Sequence, residues 1–366
     1  MKGLTLTELA QEVERQSNLK RDFIAPASRI KYVECKEGEG STLSDQTKLK
    51  MHGKGEPLEI GPLFHNQVGE HLKIPRAYYD RMLTQAPVLL RRNVNHWLAE
   101  DPSKRLIRTL DDRARAFLSD RYRILDNFEL LQAILPIFNE HGLEIVSCEV
   151  TERRLYLKAV HPELKAEVGN RKVGDIVQGG VSVWNSETGF GTNGAEQFLY
   201  TLACLNGMTM PQTGLRKHHL GRRLGNGEDK AWEVFRDETR EADDKAFFMK
   251  MQDVVRACLE EKRFNDLIQR IRNAASDNEI SSPNGRPVEE VVEVTRKSFG
   301  LTESEGSQML KHLVNGGDLS RWGVANAVTR TAQDMNTYDR FDDLQRIGGQ
   351  IIELPKRKWA EIALKN

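Results

Sequence analysis

Hydrophobic residues recur at helical spacing in the first half of the chain. Residues 63–100 show this spacing, and so do residues 124–140. Asp126 or Asn127 can cap the second of these helices, and Gly142 is suited to end it. Both segments are therefore predicted to be amphipathic helices.

The pattern then changes to the alternation typical of strands. Residues 143–162 alternate and are rich in β-branched side chains, which predicts a β-hairpin with residues 151–154 as its connection. Residues 177–185 predict a further strand, whereas residues 195–205 could be strand or helix. Helical spacing returns over residues 229–275 and again near the C-terminus.

These elements predict an α+β fold, in which a central antiparallel sheet is flanked by helical N-terminal and C-terminal regions. The sheet would contain the β-hairpin, the further strand and a packed helix. We expect three parts: an N-terminal helix and mobile loop (residues 1–62), an α+β core with a basic groove (residues 63–228), and a mainly helical, acidic region (residues 229–366). A linker rich in Ser, Pro and Gly is predicted near residues 276–287 of the last part.

Composition is that of a soluble globular protein, with 39% hydrophobic and 30% charged residues. No apolar run approaches the roughly 18 residues that a transmembrane helix needs. The four cysteines are far apart and form no C-x-x-C pair, which argues against a disulfide framework and a cysteine-rich zinc site. We therefore expect a cytoplasmic protein.

Charge is balanced overall but unevenly distributed. Residues 104–223 contain 17 Lys and Arg against 14 Asp and Glu, whereas residues 224–343 contain 17 against 24. The middle of the chain is thus mildly basic and the following region acidic. Any nucleic-acid binding must come from a local patch, because the net charge is zero.

Two motifs contain part of the residue pattern of a cofactor site or a metal site, but each lacks other residues that such a site needs. The G-x-G-x-x-G of residues 189–194 follows a predicted strand, but the downstream stretch that starts at Pro211 has no acidic residue before Glu228 to hold a ribose. His218 and His219 are adjacent, so their side chains diverge, and four basic residues beside them would repel a divalent cation. We expect neither a cofactor nor a metal.

A magnesium-dependent nuclease is the main enzymatic alternative. It needs clustered carboxylates to hold the metal. The candidates are Asp111, Asp112, Asp120, and the E-x-K of Glu163 and Lys165. The E-x-K has no well-placed acidic partner before it, so this alternative stays second.

Basic residues interleaved with aromatic ones are the stronger signal. Together they follow the pattern of single-strand binding surfaces, in which cations track phosphates and aromatic rings stack on bases. The stretch "RKHHLGRR" also has no acidic residue within it. The predicted nucleic-acid-binding residues are Arg113, Arg115, Arg121, Arg123, Arg153, Arg154, Tyr156, Lys158, Trp184, Arg216, Lys217, Arg222 and Arg223.

Several blocks resemble a phage- and plasmid-borne family known as domain of unknown function nine-three-two. They are "ARAFLSDRYRILDNFELLQAILPIF", "GGVSVWNSETG", "LACLNGM" and "RWGVANAVTRTAQD". The resemblance covers residues 63–352 and implies mobile-element biology without an assigned chemistry.

Residues 143–208 are also similar in pattern to single-strand annealing proteins of the Rad fifty-two, Erf and Sak type. Those proteins share a β-hairpin, a further strand and a packed helix, and hold single-stranded DNA in a basic groove on an oligomeric ring. The resemblance implies groove residues Arg153, Arg154 and Lys158, and it requires a helix at residues 195–205.

The sequence hypothesis is a phage or plasmid protein that binds single-stranded DNA and promotes annealing of complementary strands in recombination. It needs no nucleotide cofactor and no catalytic group, and it implies a homo-oligomer, with a replication or recombination protein as a further possible partner. A non-catalytic host-takeover or anti-defence interaction protein is the third alternative.

Overall fold

The computed structural model describes residues 3–34, 47–53, 55–168, 176–202, 205–218 and 237–365; for residues 212–218 and 237–241 it describes the backbone only. Within these ranges the chain forms twelve α-helices and eleven strands, and the strands pair antiparallel except for one short parallel pair. The predicted α+β fold class is confirmed. No helix in the described ranges is both long and apolar enough to cross a bilayer.

The N-terminal third of the chain contains strands as well as the predicted helices. The strands are β1 (Arg21–Pro26), β2 (Ile30–Glu34), β3 (Thr47–Met51), β4 (Glu59–Ile60), β5 (Lys104–Leu110) and β6 (Arg113–Ser119). They form a four-stranded sheet of order β1-β5-β6-β4 and a separate β2-β3 pair. Strand β3 lies in the segment predicted as a mobile loop, so that prediction is wrong for residues 47–51; residues 35–46 lie outside the described residues.

Four helices accompany these strands: α1 (Leu6–Leu19), α2 (Pro62–His71), α3 (Arg76–Gln85) and α4 (Pro87–Glu100). Helices α2, α3 and α4 pack against the two small sheets. Together they enclose a separate hydrophobic core, which includes Tyr32, Phe64, Tyr79 and Phe117. Helix α1 instead packs against the large sheet described next.

The β5–β6 hairpin was not predicted from the sequence, because this segment was considered for its charged residues and not for its strand pattern. Its two connecting residues, Asp111 and Asp112, have φ values of 50° and 58°. Positive φ at both central positions is the requirement of the tight hairpin turn whose twist matches that of the strands. Asp tolerates this conformation better than most residues other than glycine.

A five-stranded antiparallel sheet forms the centre of the molecule, in the order β11-β10-β9-β8-β7. Its strands are β7 (Glu144–Val150), β8 (Leu155–Glu167), β9 (Ile176–Asn185), β10 (Thr192–Thr201) and β11 (Asn206–His218). The predicted hairpin and further strand are confirmed. Residues 195–201 of the segment left open are part of strand β10, and residues 203–204 lie outside the described residues, so the described part of the segment does not form the helix that the annealing proteins have at this point.

Helices cover both faces of this sheet, which is why its strands β9 and β10 are buried almost continuously. One face packs against α1, α5 (Asn127–Glu140) and α6 (Asp237–Cys258). The other packs against the C-terminal helices α7 (Glu261–Ala275), α8 (Val288–Phe299), α9 (Glu303–Gly316), α10 (Arg321–Thr331), α11 (Tyr338–Ile352) and α12 (Lys356–Ala363). Alternation along β8 sends Leu155 and Leu157 to the first face and Tyr156 to the second.

A closed network of charges fastens α11 to the second face. Lys158 Nζ lies 2.6 Å from Asp342 Oδ1, and neither side chain is exposed to solvent. Arg346 donates to Asp342 at 2.8 Å and to Glu196, on β10, at 2.6 Å. Burial alone would raise the pKa of Asp342, but Arg346 and Lys158 more than offset burial and hold it well below its ordinary value. The network contains two cations and two anions, so its members neutralise one another.

We predict that Lys158→Met destabilises the fold by about 3–5 kcal/mol, because it leaves Asp342 buried with one cationic partner fewer. Lys165→Met is the matched control, since Lys165 lies on the same strand but is exposed. Chemical denaturation of the two variants measures the difference. Equal stability of the two variants would show that the buried pair contributes nothing.

Candidate nucleic-acid interface

Three of the predicted binding residues lie beneath α11 and do not reach solvent. Tyr156 and Trp184 are 1% and 2% exposed, and Lys158 is 0% exposed. Tyr156 donates its hydroxyl hydrogen to Asp339 at 2.7 Å. Arg346 lies 4.0 Å from the centre of the Trp184 ring. The stacking surface expected on this face is therefore covered, because burying these rings and pairing these charges hold α11 in place.

Two of the predicted arginines are buried in ion pairs. Arg115 Nη1 lies 3.6 Å from Glu187 Oε2, and both side chains are at most 10% exposed. Arg123 is 7% exposed and contacts both Asp243 and Asp244, on α6. Asp243 and Asp244 belong to the acidic region of the sequence, residues 224–343. Arg115 and Arg123 thus hold the fold together and are not presented on its surface.

The remaining residues with described side chains lie around one end of the five-stranded sheet. Arg153 and Arg154 form the β7–β8 turn, with Arg153 exposed and Arg154 half-buried. Among the described residues, no carboxylate lies within ion-pair distance of either guanidinium group. Burial and the charge of Asp342 raise the pKa of Asp343. Arg154 is near enough to Asp343 to oppose this rise. Arg153 is therefore the more available of the two cations.

A second loop lies beside this turn and is hydrogen-bonded to it. Residues 186–191 connect β9 to β10. Ser186 Oγ donates to the Arg153 carbonyl at 2.8 Å, and Thr188 Oγ1 donates to the Glu152 carbonyl at 3.1 Å. Since Ser186 and Thr188 are buried, at 0% and 1% exposure, these bonds are shielded from water. The turn and the loop therefore form one rigid unit.

The same loop is fastened on its other side to the smaller sheet and to the segments around it. Gln67, on α2, donates to the Thr188 carbonyl at 2.7 Å, and Tyr122, just after β6, donates to the Ser186 carbonyl at 2.8 Å. Arg108, which is buried on β5, donates to the Glu187 carbonyl at 2.8 Å. The loop therefore links the large sheet to the smaller one.

Phe190, at the tip of this loop, is a candidate that the sequence analysis missed. Its side chain is 36% exposed. The guanidinium carbons of Arg153 and Arg154 lie 4.4 Å and 5.3 Å from the ring centre. Both contacts are in the range of cation–π attraction. The available signal was a phenylalanine between two glycines, within a motif that was considered only as a dinucleotide fingerprint.

Arg113 and Arg121 come to the same neighbourhood from the smaller sheet. Arg113 begins β6, and its side chain lies with that of Glu152 against Gly61. Arg121 is exposed and precedes Tyr122, whose hydroxyl group is bonded to the 186–191 loop. Both arginines therefore flank the unit made by the turn and the loop.

The register of the sheet brings Arg216 and Lys217 to this end as well. Their backbones on β11 lie opposite Gly194 and Asn193 of β10. Three strand spacings, about 14 Å, separate β11 from β8. Arg222 and Arg223 lie outside the described residues, so their predicted role stays a prediction.

The residues proposed for a nuclease lie in separate places. Asp111 and Asp112 form the β5–β6 turn, and the Asp111 carboxylate accepts two bonds from Arg15, at 2.8 and 2.9 Å. Glu163 lies at an irregularity of β8. Among the described residues, no three His, Cys, Asp or Glu side chains are grouped as metal ligands would be. The glycine motif connects antiparallel strands, unlike the strand-to-helix turn of a dinucleotide site.

Comparison with protein-family models, curated proteins and solved structures finds no match to this chain. The resemblance to the phage- and plasmid-borne family stays a prediction, whereas the match in element order to the annealing proteins fails, because residues 195–201 form part of strand β10 and not a helix.

We predict that Ser186→Ala loosens the loop at a cost of about 1 kcal/mol, because the partly buried Phe190 N–H and Arg153 carbonyl lose the hydroxyl group that bonds both. Amide hydrogen exchange at Phe190 should become faster. Ser307→Ala on α9, whose hydroxyl group is exposed, is the control. A wild-type exchange rate at Phe190 in the Ser186 variant would contradict the role assigned to this hydroxyl group.

Proposed function

We propose that this chain binds single-stranded DNA at the basic end of its five-stranded sheet and promotes the annealing of complementary strands, without a nucleotide cofactor. We use "basic end" for Arg113, Arg121, Arg153, Arg154, Arg216 and Lys217. One observation supports the proposal: the backbones of these residues come from separate segments to the same end of the fold, where the exposed ring of Phe190 lies beside Arg153 and Arg154.

The chemistry of the basic end suits phosphate groups. Arginine presents several N–H donors in a fixed fork that matches phosphate oxygens. Arg153 and Arg154 belong to a rigid turn, so little side-chain and backbone entropy is lost when they bind. The buried Lys158, Arg115 and Arg123 are already paired within the fold and are not part of this proposal.

The proposal that the chain anneals strands has less support than the proposal that it binds them. Because β10 is a strand, the sheet does not follow the element order of the annealing proteins. The support for annealing is the combination of a phosphate-binding edge with few sites for base-specific contacts, which leaves most bases free to pair. A homo-oligomer would extend the short site along a strand, and it belongs to the proposal for that reason.

We predict that Arg153→Glu with Arg154→Glu weakens binding to single-stranded DNA by at least tenfold. If each arginine contacts one phosphate, the slope of log affinity against log salt concentration should fall by about 1.4, since each contact with a single strand contributes about 0.7. Fluorescence anisotropy with labelled oligonucleotides over a salt series measures both quantities. The same pair of substitutions should slow the annealing of complementary strands.

The matched control is Arg357→Glu with Lys358→Glu, which makes the same charge change on two adjacent, exposed residues of α12. It should leave the slope unchanged. If both double variants weaken binding equally, net charge and not the basic end governs it. Strand cleavage that requires magnesium would replace the proposal with the nuclease alternative.

One observation favours a second candidate, a non-catalytic interaction protein. Helix α4 exposes Val88, Leu89 and Trp97, at 50%, 47% and 48%. Several large apolar side chains exposed on one element are typical of protein-binding surfaces. Absence of DNA binding at low salt would favour this candidate.

A further inference from the structure

We propose that Phe190 is a base-stacking residue, and that it makes the basic end select strands whose bases are unpaired. This inference rests on the proposed function, since it names what the same site recognises beyond phosphate. It concerns a residue that neither sequence resemblance names as a site residue.

The backbone on each side of Phe190 turns the ring outward. Gly189 and Gly191 have φ values of +76° and +115°, which side-chain-bearing residues rarely adopt. A Cβ atom at Gly191 would also lie 2.6 Å from Arg154 Nη2, and one at Gly189 would lie 2.5 Å from Leu118. Two glycines are therefore needed for this turn, and its result is an aromatic ring outside the core.

The position of the ring is fixed before any ligand binds. The Phe190 N–H donates to Ser186 Oγ at 2.9 Å, and its carbonyl accepts a bond from Arg154 Nε at 3.2 Å. Both partners are themselves held, since Ser186 bonds the Arg153 carbonyl and Arg154 N–H donates to Thr151 Oγ1 at 3.0 Å. A preorganised ring loses little conformational entropy when a base stacks on it.

The two guanidinium groups give the ring a specific environment. They attract the ring through its π electrons while their N–H groups remain donors for phosphate oxygens. A nucleotide can therefore place its base on the aromatic and guanidinium surface and its phosphate against the arginines. This pairing of contacts fits single-stranded nucleic acid.

Duplex DNA cannot make the stacking contact. The faces of its bases are occupied by neighbouring base pairs, and extruding a base costs unstacking energy. Phosphate contacts alone would bind both forms. The preference for single strands should therefore disappear when the aromatic ring is removed, while the salt-dependent part of the binding persists.

The test compares Phe190→Leu with wild type on three ligands: oligothymidine, a fully abasic strand of equal length, and a duplex. Wild type should bind oligothymidine about tenfold more tightly than the abasic strand, in line with the loss expected for one stacked base. Phe190→Leu should lose that tenfold while keeping wild-type affinity for the abasic strand and a wild-type salt slope. Phe190→Tyr, which keeps the ring, should bind like wild type.

Three results would overturn the inference. The first is equal binding of the thymidine and abasic strands by wild type, a comparison that needs no variant. The second is a Phe190→Leu variant that retains the full preference for oligothymidine. The third is a Phe190→Leu variant that loses affinity for all three ligands together, which would make Phe190 a support for the arginines. Failure of the proposed function is distinguishable, because wild type would then bind no strand even at low salt.

Discussion

The hydrogen bonds of the buried loop between β9 and β10 are the constraint on which the rest of the site depends. Ser186, Glu187 and Thr188 are at most 6% exposed, yet the side chains of Ser186 and Thr188 are bonded to the β7–β8 turn and that of Glu187 to the start of α5. Glu187 accepts the N–H of Asn127 at the start of α5, so the loop positions a helix as well as a turn. A polar loop can be buried only if its groups are satisfied. Here their satisfaction joins the two sheets and fixes the arginines beside Phe190.

The need to satisfy buried groups also explains the start of α5. Asp126 occupies the N-cap position predicted for it, but its carboxylate does not cap the helix. It pairs instead with Lys20 and with Arg108, which is 3% exposed. Burial tends to raise the pKa of Asp126, and the attraction of Arg108 and Lys20 outweighs this and lowers it. Neutralising a buried arginine took precedence over capping, because an unpaired buried charge costs more than a lost cap.

The sequence predicted local structure well and exposure poorly. The β7–β8 hairpin, β9 and α5 follow from periodicity, which is a property of neighbouring residues. Alternation correctly placed Tyr156 and Lys158 on one face of their strand, but it could not show that this face is covered. The cover is α11, almost 190 residues further along the chain, whose Asp342 and Gln345 meet Lys158. Arg153 and Arg154 were found because turn residues are exposed by position, whereas Phe190 required the glycine geometry around it.

The unequal charge of the two halves acquires a physical meaning from these contacts. Acidic residues of the C-terminal region neutralise basic residues of the middle region, as Asp342 does for Lys158 and as Asp243 and Asp244 do for Arg123. The acidic region is therefore in part a source of internal counter-ions and not only a solvated surface. Arg153 extends beyond the reach of these carboxylates, on a turn at the edge of the sheet. A phosphate group approaching that edge meets a cation that no carboxylate of the described residues neutralises, and this makes the edge, and not the sheet face, the place to look for nucleic acid.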